Sequence, residues 1–258
     1  MKPEMRRVTL VILLMLFGAT AASARSLEAI RERGALTLCA HPNALPFASR
    51  RDADPGFQVE IAKALANQLG VSLEQRWVVN SFQYRRADCD IVLDAIADRA
   101  VLAEVGLRMS RPYQRSSVAL AVGANSSAAS LADLRPGQRV GVQVGSIASM
   151  TLSKRGVQTS PFVFEDEIMD ALAKNEIDAA AVTPAAIGWF NQVHPDARVR
   201  RIPAFEDDPD LNWNVAVGMV SPDEKLRQGL DAALEALLAN GTLARIYAHY
   251  NVELQSPK

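Results

Sequence analysis

Short apolar runs alternate with stretches of helical period along most of the chain, and the clearest case lies at residues 36–70. Residues 36–40 form an apolar run with the length of a buried strand. The loop at 41–47 contains Pro42 and Pro46, which exclude a helix. Apolar residues then recur at Phe57, Ile61, Ala62, Leu65 and Leu69, the spacing of one helix face, and Gly70 supplies a C-cap. A strand that delivers Pro46-Phe47 and then feeds a helix places an aromatic ring at the carboxyl edge of a sheet. Open α/β sheets hold their ligands at that edge.

The alternation continues. Residues 71–79 read as a second strand, Ser81 as the cap of a short helix through Ala87, and 90–93 as a third, buried strand. This order predicts a parallel sheet with crossover helices. Residues 116–122 are another extended apolar run, followed by small polar residues at 123–127, a composition shift that marks a hinge. A second α/β set follows, with helices predicted at 131–134, from Gly145-Ser146 towards Lys154, at 168–174 and at 184–190, and strands at 138–144, 162–164, 178–182 and 199–202. Thr183-Pro184 is a favourable N-cap and first-turn pair. The long apolar strand 214–220 then precedes Ser221-Pro222-Asp223-Glu224, read as a capping box opening a helix to Leu238. A last helix spans 243–250. The pattern predicts two α/β lobes joined by two crossings: a first lobe from 25–122 and 214–258, and a second from 123–213.

The amino terminus changes the picture. Lys2, Arg6 and Arg7, an apolar stretch at 8–18 and Ala22-Ser23-Ala24 make an export leader over residues 1–24. Its apolar part is shorter than the ~20 residues a membrane span needs. The expectation is a periplasmic protein with a cleaved signal peptide and no membrane insertion afterwards. A formal net charge of −1, with both signs interspersed, gives no electrostatic footprint for nucleic acid.

Cys39 and Cys89 both meet an oxidising compartment. They form either a single disulfide or two buried thiols. In an ordinary parallel register several residues, at about 3.3 Å each, separate them, whereas a bridge needs Cα atoms closer than about 7 Å.

Candidate chemistry is sparse. His41, His194 and His249 have no ligand-spaced partners, so no metal site is expected, and no cofactor motif or Gly-x-Ser-x-Gly elbow is present. Gly145-Ser146, at a strand end before a helix, offers free N–H groups and a hydroxyl to a small anion, or is an ordinary serine-capped turn. Arg99, Arg108, Arg111 and Arg115 surround Ser110-Arg111-Pro112-Tyr113 and are candidate anion clamps or a solvated basic turn; Arg99, just beyond the third strand, is the preferred clamp. Asp94 at the end of that strand is positioned to receive a cation or hydroxyl, or to pair with Arg99. Trp77, Trp189 and Trp213 read as core.

Together the leader, Pro46-Phe47, Gly56-Phe57-Gln58-Val59-Glu60-Ile61-Ala62, Ser110-Arg111-Pro112-Tyr113, the segment 134–146 and the segment 172–180 resemble the family 3 periplasmic solute-binding proteins. The resemblance covers almost the whole exported chain. It implies a type II periplasmic binding fold, a two-lobed α/β clamp that closes on a small polar or anionic solute and often hands it to an ABC permease. Amino-acid binders of that family carry an arginine nine residues before the Pro-Tyr pair, where this chain has Ala103. They carry an aspartate five residues after the one matched by Asp178, where this chain has Thr183. Each lost charge-assisted contact is worth about 1.5–3 kcal/mol.

A narrower resemblance fits these departures. Cys39-Ala40-His41-Pro42-Asn43-Ala44-Leu45-Pro46-Phe47, Cys89-Asp90 and Arg111-Pro112-Tyr113-Gln114-Arg115-Ser116 resemble the J-type proteins associated with PQQ-dependent methanol and related alcohol dehydrogenases. This implies a non-enzymatic binding or accessory protein, with a dehydrogenase or its cytochrome c as partner. The residues expected to face the ligand are Asn43, Phe47, Asp94, Arg99, Gly145, Ser146 and Thr183. Two other functions compete: an uptake receptor for an amino acid or organic acid, and an enzyme similar to periplasmic cyclohexadienyl dehydratases, with Glu165 or Asp94 as proton donor.

Overall fold

The computed structural model describes residues 26–98 and 106–258, so the leader expected over 1–24 lies outside the described residues, as do Arg99 and Ala103. The first apolar run forms β1 (Ala35–Ala40), buried at all six positions. Buried strands of this kind sit inside a sheet covered on both faces. β1 pairs in parallel with β4 (Ser72–Trp77) and β5 (Ile91–Ile96). The sheet runs β4-β1-β5-β13-β6, where β6 is Leu107–Met109 and β13 is Asn212–Val220; β7 (Gln114–Ser117) also pairs with β13. β13 is antiparallel to β5, β6 and β7.

The predicted amphipathic helix is α2 (Phe57–Leu69), and all five of its periodic apolar residues are buried. It packs in a core with β1 and with α6 (Glu224–Ala239) and α7 (Thr242–His249). Gly70 ends it in the left-handed conformation. Gly56 starts it at φ 88°, where a Cβ would lie 2.4 Å from the Phe47 carbonyl oxygen, so only glycine lets the helix approach the loop this closely. A further helix, α1 (Leu27–Arg33), is capped by Ser26 and sits directly before β1.

The second sheet runs β10-β9-β11-β8-β12, comprising Thr159–Phe162, Val140–Gln143, Ala179–Val182, Ala119–Gly123 and Val199–Ile202. Its central strand β11 alternates between two cores. Ala179 and Ala181 face one, while Ala180 and Val182 face the other. The small side chains let α3 (Ile147–Lys154), α4 (Glu165–Ala173) and α5 (Pro184–Val193) cover this sheet. β8 pairs only within the second sheet, so the chain passes between sheets just before Ala119 and returns near Asn212. The architecture is the two-lobed α/β arrangement of type II binding proteins.

Two expectations are corrected in detail, and one open alternative is decided. The helix expected at 81–87 is one 3-10 turn at Ser81–Gln83 followed by turns. The capping residue of α6 is Asp223, whose side chain accepts from the Leu226 N–H at 2.7 Å, and Ser221-Pro222 precede the cap. Of the two alternatives for the cysteines, the disulfide is present, with Cα atoms 5.5 Å apart. Cys39 pairs with Val92 in the ladder. Cys89 still reaches it because the chain turns before β5: Asp88 adopts φ 59° and the Cys89 N–H bonds to the Tyr84 carbonyl.

The lobes also touch away from the crossings. On α5, Gly188 accepts from Asn251 Nδ2 at 2.9 Å, and Gln192 Nε2 donates to the His249 carbonyl at 3.0 Å. The Trp189 and Tyr250 rings lie 5.5 Å apart.

Candidate functional site

The carboxyl ends of β1, β5, β9 and β11 face one another across a cleft, as expected for parallel strands in this fold. It holds two chambers, of about 600 Å³ and about 470 Å³. Phe47 and Gln58 from the first lobe and Thr183 from the second line both. These volumes suit small solutes.

Phe47 is held by its backbone. Its N–H donates to the Ala44 carbonyl at 2.8 Å and its carbonyl accepts from Gln58 at 2.9 Å. Its ring packs on Phe57 at 5.0 Å. Gln58 in turn donates through Nε2 to Asp94 Oδ2 at 2.8 Å, and Tyr113 Oη donates to Asp94 Oδ1 at 2.6 Å. Asp94 sits at φ 53°, with its own N–H bonded to Tyr113 Oη. Burial pushes the Asp94 carboxyl above the ordinary aspartate value, against the lowering effect of the Tyr113 and Gln58 hydrogen bonds.

On the opposite wall, Thr183 caps α5 and gives its hydroxyl to Glu165 Oε2 at 2.6 Å; its N–H donates to Glu165 Oε1 at 2.8 Å. The carboxyl absent at position 183 is therefore supplied in the same corner by the first residue of α4. Burial pushes Glu165 up, although both hydrogen bonds from Thr183 lower it. His41 faces the second lobe, with its ring 5.2 Å from that of Phe164. Burial pushes its pKa down, and Nδ1 accepts from the Asn43 N–H.

The larger chamber includes Cys39, His41, Asn80, Gln143, Glu165 and Asp166 in its lining, and none of its described lining residues is Lys or Arg. Val79, Val144 and Val163 border it and are more than half exposed, so the cleft opens to solvent past apolar side chains.

Of the residues expected from sequence, Phe47 and Thr183 line both chambers and Asp94 lines the smaller one. Asn43 is exposed in a two-residue ladder between β2 (Asn43–Ala44) and β3 (Ala48–Ser49), and lines neither. Gly145 and Ser146 line neither chamber; Ser146 caps α3 by accepting from the Ser149 N–H at 3.1 Å. Arg99 falls outside the described residues. Sequence reasoning passed over Gln58, Gln143 and Arg201, and ranked Arg115 behind Arg99 among the arginines near the Pro-Tyr pair; Trp213 packs against both cores as expected and also lines the smaller chamber. Gln58 carries a signal: it is a polar residue one position after the first buried residue of α2, beside the Phe47 loop. Among the described residues no three His, Cys, Asp or Glu side chains gather to hold a metal ion.

The family model described as bacterial extracellular solute-binding proteins, family 3, matches residues 36–253. The ancestral amino acid-binding protein AncCDT-1, described as a precursor of cyclohexadienyl dehydratase, superposes with a TM-score of 0.73 at 19% identity, covering 87% of this chain and 99% of that one. An amino acid ABC transporter substrate-binding protein, AbpA of Streptococcus pneumoniae, bound to L-arginine, superposes with a TM-score of 0.69 at 22% identity, over 86% of this chain and 97% of that one. A curated relative, Membrane-bound lytic murein transglycosylase F of Desulfosudis oleivorans, is 27% identical over 97% of this chain and 57% of its own length. The chain spans about half the length of the curated relatives it matches. The expectation of a non-enzymatic protein is corrected by these names, since the curated relatives are named as enzymes and one structural neighbour as the precursor of one.

Proposed function

Because the chain belongs to the bacterial extracellular solute-binding proteins, family 3, we propose that it captures a small polar solute in the cleft between its lobes. One observation carries this reading: Phe47, Gln58 and Thr183, drawn from both lobes, line both chambers. A solute seated there touches both walls and favours their approach. Thr183, standing where amino-acid binders carry an aspartate, favours a solute other than an ordinary amino acid. Export by the leader at 1–24, periplasmic residence and delivery to an ABC permease are parts of the proposal. Among the described residues no helix is long and apolar enough to cross a membrane.

A thermal-shift screen tests it, with amino acids, organic acids, alcohols and murein fragments as solutes. A ligand at 100 times its Kd adds about 2.7 kcal/mol. A shift that disappears in Phe47→Ala is the expected result; no shift, or one indifferent to Phe47→Ala, refutes capture in the cleft.

The finer reading is service to a quinoprotein system, with a PQQ-dependent alcohol dehydrogenase or its cytochrome c as partner and methanol oxidation as the setting. Its support is local. Residues 39–47 carry that resemblance, and Cys39 and Phe47 both line the cleft, with Cys39 tied to Cys89. Tagged protein returned to periplasm should then recover the dehydrogenase; recovery of a permease alone counts against it.

A second reading is favoured by the two carboxyls, Asp94 and Glu165, which burial pushes up from opposite lobes. An elimination needs a carboxyl that can hand over a proton, and a raised pKa favours that role. Incubation with prephenate or arogenate, followed by absorbance of the aromatic product, tests it. Product formed by the wild type and lost in Glu165→Gln supports the reading, and no product rules it out.

A further inference from the structure

The smaller chamber contains a cation with no ion-pair partner among the described residues. Arg115, on β7 of the first sheet, is partly buried and lines this chamber. Its side chain makes one hydrogen bond, from Nη2 to Asn212 Oδ1 at 3.0 Å, and no ion pair with a described residue. A guanidinium carries five N–H donors in a planar fork, and a partly buried charge without a counter-charge is unfavourable unless something supplies one. Arg201, on β12 of the second sheet, lines the same chamber. It is paired with Glu206 at 3.5 Å, a half-exposed contact of the kind that exchanges readily.

The other charged groups of the chamber do not answer Arg115. Asp94 is committed to Tyr113 and Gln58. Glu253 is exposed and accepts from Gln255 Nε2 at 3.3 Å. Trp213 adds an aromatic wall.

We propose that the smaller chamber is an anion subsite, in which Arg115 and Arg201 together hold a carboxylate of the captured solute. The assignment rests on solute capture in the cleft and names its ligand class: small organic acids whose body reaches Phe47. The pair takes one arginine from each lobe, so the anion draws the lobes together where the chain crosses between them. Planar carboxylates suit this fork because they accept two parallel N–H bonds.

The test is titration of the purified protein with benzoate and succinate, and with benzamide and succinamide as neutral counterparts, read by calorimetry and by tryptophan fluorescence. Saturable binding of at least one carboxylate, at least tenfold tighter than its amide, is expected. Arg115→Gln and Arg201→Gln should each weaken it tenfold or more, Arg115→Lys less than Arg115→Gln, and Arg198→Gln, an exposed arginine outside the chamber, not at all. Trp213→Phe should remove most of the fluorescence change. Carboxylates that bind no better than their amides overturn the proposal, as do Arg115→Gln and Arg201→Gln affinities within twofold of wild type. Solute binding abolished by Phe47→Ala yet untouched by both arginine variants overturns the anion subsite alone and leaves capture in the cleft standing. Indifference of every solute to Phe47→Ala removes the capture reading itself.

Discussion

Gly188 offers a direct way to separate closure of the lobes from their stability. It lies on α5, where a Cβ would come 2.1 Å from the Asn251 carbonyl oxygen of the first lobe. Carbon and oxygen meet without strain at about 3.3 Å or more. Gly188→Ala therefore forces α5 back by an ångström or more. The retreat breaks the hydrogen bond from Asn251 Nδ2 and the one from Gln192 to His249, and loosens the Trp189–Tyr250 contact. Each hydrogen bond contributes about 0.5–1.5 kcal/mol, and the ring pair a similar amount. A loss of about 2–3 kcal/mol from the closed arrangement weakens a ligand that needs both lobes by roughly 30- to 150-fold. Within α5 itself the change is favourable, because alanine exceeds glycine by about 1 kcal/mol in a helix interior. The expected signature is thus weaker solute binding and a larger radius of gyration by X-ray scattering, with the melting temperature of the second lobe unchanged or raised. Wild-type affinity together with a wild-type radius of gyration would show that the α5–Asn251 contact does not govern closure.

Three further outcomes follow from local contacts. The Cys39–Cys89 bridge closes a loop with a sequence separation of 50, for which chain entropy gives about 4 kcal/mol; the double alanine variant should show that loss in urea unfolding, and an unchanged midpoint would refute it. Burial raises the Glu165 pKa, so the stability of its neutral form is present at low pH and lost as pH rises through that raised value. Glu165→Gln should melt above wild type at neutral pH, with the gap closing below the ordinary glutamate value of 4.5; a gap that widens in acid contradicts the assignment. Tyr250 Oη donates to Glu60 at 2.6 Å and accepts from the Gly56 N–H at 3.0 Å. Tyr250→Phe should cost about 1–3 kcal/mol in chemical denaturation by leaving that buried N–H unpaired, and a loss below 0.5 kcal/mol, the lower end of a single hydrogen bond, would sink the argument.

Much of this was legible where local pattern and tertiary structure agree. β1, the Phe47 loop and α2 could be read residue by residue, because the apolar period, Gly56 and Gly70 all point the same way. The site was legible only at its strand ends. Phe47 follows from the proline-bearing loop after β1 and Thr183 from the end of β11, but Gly145 and Ser146 do not line the chambers although they stand just beyond β9. Arg115 and Arg201 belong to different sheets and line one chamber only in the folded chain, so no spacing in the sequence relates them. The cysteine pair eluded a register argument because the chain reverses at Asp88 before entering β5, and a ladder count assumes that it does not.

β13 gives the chain an order of assembly. The first sheet needs this strand between β5 and β6, yet it is contributed by Asn212–Val220, after the whole second sheet has been made. During synthesis the second lobe emerges as one continuous segment with all five of its strands, while the first lobe waits with its central gap unfilled. β5 then carries an unpaired edge along residues such as Ile91 and Ala95 until Met219 and Ala216 arrive to cover it. A nascent first lobe is thus the aggregation-prone half of the molecule, and the part a chaperone has most reason to hold.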